Sequence, residues 1–432
     1  MEQRPRDNLY PVSGVRGGFV TPPFWSTNLA SLAAVFSFRV SLLPSLSYIN
    51  RLGLNHFGVR VAMNEKDSEE PDAKRAKIPR AKRKCAISIG FDGTAYSGMQ
   101  MNAGVSTIEG TLFEAICKAG YVLESNQTAG RVNFNRASRT DKGVSACFNV
   151  VSMKMELSAE EEANMSLVPP RINALLPADI QVWTVSRTNK HFQPKDNAST
   201  RYYRYLLPHG ALNRQLFTED SPASRMQVPE AWSAFEAEPA ALDEFSAMLK
   251  HYVGTHSFHN FTPASKENTA MSLKRYIMDC ELLPEKVIAS SGQVFSIISV
   301  HGQSFMLHQI RKMVSYALLQ WRYGQVEGLK KALPDWSHIF QPSVLSNVPI
   351  GPAFPLYLYE VEFSAYNKQY PAHAIGSTVP NFPAVPLHTF EQEHLWNVIG
   401  KNEAENGEFY HWLRNKHAMY VWEKSEEVVV EK

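Results

Sequence analysis

A fold that mixes strands with helices is predicted by three observations. Short apolar runs at residues 86–91, 148–155, 180–185 and 294–300 have the length and composition of strands. Between them lie segments with apolar residues at helical spacing, such as Ile108, Leu112, Phe113 and Ile116, or Leu242, Phe245 and Leu249. The third is a ten-residue loop, 137–146, that sets Asp141 between Arg139 and Lys142 immediately before a strand.

With 432 residues, 44% of them hydrophobic, the chain holds one large or two modest domains with an ample core. A net charge of +2 does not announce a nucleic-acid surface, which would need local clusters of Lys and Arg. Cys85, Cys117, Cys147 and Cys280 form no CxxC pair, which argues against a zinc knuckle or disulfide framework and fits a reducing compartment. The apolar run 29–49 is broken by Arg39 and Pro44 and does not make a membrane helix.

In chain order, residues 8–64 carry no Asp or Glu but several arginines and many serines, as mitochondrial transit segments do; an extension of chance composition is an equal alternative. A second start at Met63 would omit the segment. An acidic patch at 65–72 and the basic run 74–84 follow. That run suggests nuclear localisation or RNA contact, with a solvated linker as the plainer reading. Folding is expected to begin at Cys85 with a strand, a turn at Asp92-Gly93, and a helix opened by a capping box from Ser106 to Glu109.

After the Asp141 loop, residues 201–205 (Arg-Tyr-Tyr-Arg-Tyr) alternate, placing Arg201, Tyr203 and Tyr205 on one strand face and Tyr202 and Arg204 on the other. A helix over 304–314 and on to Ala317 would bury Leu307, Ile310, Val314 and Ala317 and set His308 beside Arg311. His256 and His259 have no carboxylate partner or HExxH pattern, so no metal is expected. Neither a Walker A nor a GxGxxG motif is present, and no cofactor is expected.

In the loop, the Arg139 guanidinium beside Asp141 would favour the ionised carboxylate that a nucleophile needs. A structural Arg–Asp pair in a turn is the alternative. The run from Arg139 to Ala146 (R-T-D-K-G-V-S-A) resembles the active-site loop of the TruA-type tRNA pseudouridine synthases. Further likenesses are F-D-G-x-x-Y-x-G-x-Q at 91–100, N-A-x-L-P at 173–177, G-T-H-x-F-x-N-F-T at 254–262, S-F-M-x-H-Q-I-R-K-M at 304–313 and the last strand at 356–361. Ser97, Met101 and Pro355 are local departures.

The resemblance implies an α+β fold. Two related halves, 84–198 and 199–363, would form one long mixed, mainly antiparallel sheet with a central RNA cleft. The extension 1–83 precedes them, and C-terminal helices at 364–432 resemble those of the eukaryotic nuclear and mitochondrial branch. The implied catalytic aspartate is Asp141, held by Arg139 and Arg311, with Tyr203 stacking on the base. Substrate contacts are expected from Lys142, Arg204, His308 and Lys312. The partner would be tRNA or another structured RNA, with no membrane, and the chain a monomer or homodimer of the nucleus and mitochondrion. Two rival readings are a non-catalytic RNA-binding protein and a glycosidic hydrolase, the latter normally needing a second placed carboxylate.

Overall fold

The apolar run after Cys85 does become a strand, but it starts earlier. In the computed structural model, which describes residues 80–216, 227–263, 273–325, 333–376, 386–418 and 420, β1 spans Arg80–Phe91. Part of the basic run is thereby built into the sheet. Arg83 pairs with Glu162 at 3.0 Å, and buried Lys84 donates to the Asn133 carbonyl at 3.2 Å. Burial and the like charge of Lys154 lower the Lys84 ammonium to about 8. The transit, Met63 and 74–79 expectations lie outside the described residues.

β1 lies between two antiparallel neighbours, β3 (Ser145–Ser158) and β4 (Ile180–Arg187), with Ile87 opposite Val151 on one side and Val185 on the other. The two-residue β2 (Asn135–Arg136) also pairs with β3. β5 (Thr200–Pro208), β6 (Gly254–Ser257), β7 (Lys274–Ile288), β8 (Val294–Gly302) and β9 (Leu356–Glu362) complete one nine-stranded sheet of order β4-β1-β3-β9-β5-β8-β7-β6. Every pairing is antiparallel except β3 with β9, whose short parallel register sets Ser145 opposite Tyr357. The fold is α+β, with a mixed, mainly antiparallel sheet and helices packed on it. All described residues fall within one compact unit. No described helix is long and apolar enough to cross a membrane.

Helix α1 (Ile108–Lys118) buries Ile108, Leu112 and Ile116 as its spacing predicts, with Phe113 half-buried. Its cap differs from the expected Ser106–Glu109 box. Thr107 caps it, accepting from the Gly110 amide at 3.2 Å, while Glu109 turns inward to accept from the Met101 amide and pair with Arg136. The side chain of Asn173, in the N-A-x-L-P run, both accepts from and donates to the backbone of Val182 at 2.8 and 2.9 Å, supplying edge strand β4 with a partner. Helix α2 (Pro239–Leu249) buries Phe245 and Leu249.

The most informative departure is helix α3, which spans Gln309–Tyr323 and does not begin at Ser304. His308 precedes it in the left-handed region, φ 61°, and Leu307 is 57% exposed instead of buried. The left-handed conformation is uncommon for a residue with a side chain. Here it turns the chain sharply enough to bring His308 and Arg311 to the same place.

The C-terminal extension packs on the sheet. Glu391, fully buried, accepts from Arg204 at 2.6 Å and from the Tyr357 hydroxyl at 2.7 Å, and the Arg204 guanidinium lies 3.7 Å from the Tyr359 ring centre. Arg204, expected at the RNA, is thus held inside the protein. Strand alternation turned it away from Tyr203, onto the face that the extension covers. In helix α4 (Trp396–Asn406), Glu403 accepts from the Trp232 indole at 3.0 Å.

Candidate active site

The Asp141 loop is held from below by backbone contacts that explain the glycines of the neighbouring motif. The Met99 amide donates to the Thr140 carbonyl at 3.2 Å, and the Gly93 amide donates to the Ser145 hydroxyl at 3.0 Å. A Cβ on Gly98 (φ 93°) would come within 2.9 Å of the Thr140 carbonyl oxygen, so a side chain there would push the loop off its bed. Inside the loop, the Val144 amide closes a turn on the Asp141 carbonyl at 3.1 Å, and buried Asn149 donates to the Ser138 carbonyl at 2.9 Å.

This bed presents the Asp141 carboxylate to a residue 170 positions later. Arg311 donates through Nη1 to Asp141 Oδ2 at 3.0 Å and through Nε to the Gly351 carbonyl at 2.7 Å, so both sides of its guanidinium are engaged. The His308 Nε2 lies 3.6 Å from the same carboxylate oxygen, and its buried Nδ1 has no hydrogen-bond partner. Burial lowers the His308 imidazole below its ordinary range, against the opposing pull of Asp141, so the ring is neutral at neutral pH.

Tyr203 lines the same pocket from β5, 7% exposed, with its ring edge-on to Phe305 at 5.2 Å. Burial pushes its phenol up to about 12, so it stays protonated at neutral pH. Two residues earlier on the same strand face is a residue whose structural role the sequence reading missed. Arg201 is 8% exposed and donates to the Ala137 carbonyl at 3.2 Å and the Gln303 carbonyl at 2.7 Å. It fastens the Asp141 loop to the segment that leads into α3. An arginine on the same strand face as two inward-facing tyrosines was the available signal, since a buried cation needs partners.

The remaining expected residues divide. Arg139 lines the pocket but is exposed, and among the described residues it makes no ion pair with Asp141; one arginine holds the carboxylate, not two. The reason lies in the loop's path. With the Thr140 carbonyl bound to Met99, Arg139 is left at the rim. Lys142 is exposed beside it. Lys312 does not face this pocket; it is 4% exposed and donates weakly to the Asn260 carbonyl at 3.4 Å. Asn260 itself, with His259, binds the backbone of residues 339–346, so the G-T-H-x-F-x-N-F-T run supports the segment that leads to Gly351.

The pocket has a volume of about 50 Å³, room for a few waters. Among its lining residues Asp141 is the single carboxylate. Among the described residues no group of three His, Cys, Asp or Glu is placed to hold a metal.

Comparison with known proteins gives this geometry a family. Residues 248–364, which contain His308 and Arg311, match the family model described as tRNA pseudouridine synthase. The chain is 31% identical over 412 residues to tRNA pseudouridine synthase 1 of Candida glabrata, covering 79% of this chain and 72% of that one. It is 31% identical to the mouse pseudouridylate synthase 1 homolog, with 80% and 75% covered. With tRNA pseudouridine(27/28) synthase of Saccharomyces cerevisiae the identity is 27%, over 76% of this chain and 97% of the relative. Similarity of this extent, running through both segments that meet at Asp141, is that of common descent: the chain belongs to the TruA-type tRNA pseudouridine synthases.

Proposed function

We propose that the protein isomerises specific uridines of tRNA, and of other structured RNA, to pseudouridine, with Asp141 as the catalytic carboxylate. The observation that carries this reading is the Asp141–Arg311 ion pair, formed across 170 residues in a pocket shared with Tyr203.

The reaction breaks the N1–C1′ bond and forms a C5–C1′ bond; the C5 proton is lost and N1 gains one, so no redox partner is needed. The target base must first leave its stack, at about a few kcal/mol. Stacking on Tyr203 offsets part of this, at about 1–3 kcal/mol per base. Asp141 then attacks C1′, or removes a proton from the sugar to open a glycal route. Either way the carboxylate acts as an anion, and Arg311 fixes its direction. The detached uracil turns and rejoins through C5, whose proton passes to a neighbouring base.

The protonated Tyr203 phenol is the relay for that proton. Tyr203→Phe is expected to bind tRNA as wild type does, because the ring remains, but to lose about 100-fold in kcat. Full activity in single-turnover assays would assign the proton step to another group. Arg139 and Lys142, exposed at the rim, serve as substrate contacts, and neutral His308 offers its unpartnered Nδ1.

Same-pocket hydrolysis of the glycosidic bond is disfavoured by the absence of a second carboxylate among the lining residues. The test is an unmodified tRNA transcript tritiated at uracil C5. Tritium release, with RNA mass unchanged and pseudouridine in the digest, supports the reading, whereas a loss of uracil from the RNA overturns it.

On the same reading, the halves 84–198 and 199–363 flank an RNA cleft, and the chain acts as a monomer or homodimer in the nucleus and mitochondrion. Removing residues 1–62 is expected to abolish the mitochondrial signal of a tagged protein and keep the nuclear one; an unchanged distribution on imaging would sink the transit assignment.

A further inference from the structure

A second cavity on α3 shares no lining residue with the Asp141 pocket. It measures about 740 Å³; Lys312, Lys416, Trp412, Asn415 and Asn347 line it, together with residues 348–350, Pro263 and Tyr420. Among the described residues no Asp or Glu lines it. Lys312 is the unusual member. It is more than nine-tenths buried, has no acidic partner among the described residues, and its one hydrogen bond is the weak one to Asn260. A buried ammonium without a counter-charge is costly, and burial lowers the Lys312 ammonium from its ordinary range. Lys416 is exposed and likewise has no ion-pair partner among the described residues. The Trp412 indole Nε1 is buried with no hydrogen-bond partner. Two cations and an unused N–H donor thus meet in a cavity that no described acid lines.

We propose that this cavity binds a backbone phosphate of the substrate RNA, with Lys312 and Lys416 as its cationic ligands and the Trp412 indole as a further donor. Cations neutralise phosphates and so position an RNA without reading its sequence. The inference rests on the tRNA reading of the Asp141 pocket and adds to it a contact outside that pocket. The cavity is also mechanically close to the catalytic pair. Lys312 follows Arg311 on one helix, and residues 348–350 run directly into Gly351, whose carbonyl holds the Arg311 guanidinium. A phosphate seated here braces the two segments that aim Arg311.

The test compares Lys312→Met, Lys416→Ala and wild type for binding of an unmodified tRNA transcript at several salt concentrations. Lys118→Ala, an exposed lysine paired with Glu114, controls for the loss of charge alone. Each cavity variant is expected to bind about tenfold more weakly, the size of a lost hydrogen bond to a charged group. Each should also lower the slope of log K against log salt by about 0.7–0.9, one phosphate contact. Lys416→Arg should keep both near wild type.

Affinities and slopes equal to those of Lys118→Ala, with unfolding midpoints unchanged, would overturn the proposal. Should Lys312→Met fail to fold, exposed Lys416 decides the matter alone. A site for free phosphate ion would instead raise the wild-type midpoint in inorganic phosphate while neither lysine altered tRNA affinity, and that too overturns it. Weakened binding by Lys416→Ala alongside no tritium release from any tRNA keeps the cavity and sinks the isomerase reading, so the two fail separately.

Discussion

Asp141→Ala is expected to abolish tritium release from C5-labelled tRNA, a loss of about 10⁴-fold or more, as when a group that acts directly on the substrate is removed. Binding should change little, because Asp141 is an acceptor facing an anionic polymer and its loss removes no phosphate contact. The loop should survive as well. Its position depends on Met99, Asn149 and Arg201, all of which bind backbone atoms and not the Asp141 side chain. The informative pattern is therefore single-turnover chemistry lost with tRNA affinity and unfolding midpoint preserved. A fall in affinity equal to the fall in rate would mean that Asp141 orders the RNA and another group does the chemistry.

Arg311→Ala should produce the next largest effect. The Asp141 side chain is 20% exposed and that of Arg311 16%, so each is largely removed from water. Taking away one member of such a pair leaves the other uncompensated, at about 3–5 kcal/mol for a fully buried pair. Partial access of water to Asp141 puts this stability cost at the lower end; the rate falls separately, by about 10²–10³-fold in kcat, as when one positioned charge-stabilising donor is lost. The variant also frees the Gly351 carbonyl, which Arg311→Lys would not fully restore because an ammonium lacks the planar fork. Asp141 and Arg311 act as one unit, so the double variant should be no slower than Asp141→Ala alone. Additive losses in that cycle would show that Arg311 serves the RNA independently of the carboxylate.

Much of this site was legible because its chemistry sits in short segments whose neighbours in sequence are also neighbours in space. The Asp141 loop and the inward side of β5 followed from motif and alternation, whereas the pairing of Arg311 with Asp141, 170 residues apart, was implied only by the resemblance. Where the reading failed, the deciding contact was distant. Arg204 looked like an RNA ligand because Glu391, 187 residues away, is invisible from its own strand. Lys312, expected to contact the substrate, lines a cavity other than the Asp141 pocket, because helical spacing does not reveal how Asn260 and the C-terminal helices surround it. Leu307 was assigned to a buried helix face because nothing local marks His308 as the left-handed residue at which the helix actually begins.

Strand β7 was not identified from sequence. Its mixed burial along Lys274–Ile288 comes from its place near the sheet edge, and it shows neither clean alternation nor an apolar run. Arg139 failed for a smaller reason: adjacency in sequence does not aim a side chain once the intervening carbonyl is bound elsewhere.

The strand order has a consequence for how the protein is made. β4, β1 and β3 are complete once residue 187 has been synthesised, and β6, β7, β8 and β5 once residue 302 has. The strand that lies between these two sets is β9, at Leu356–Glu362. The loop that carries Asp141 and the helix that carries Arg311 thus belong to two groups of strands, β4-β1-β3 and β5-β8-β7-β6, that are joined in the sheet through β9, which comes last in the chain. A chain ending before residue 356 would lack the strand that joins the two groups, and with it the framework that brings Arg311 to Asp141.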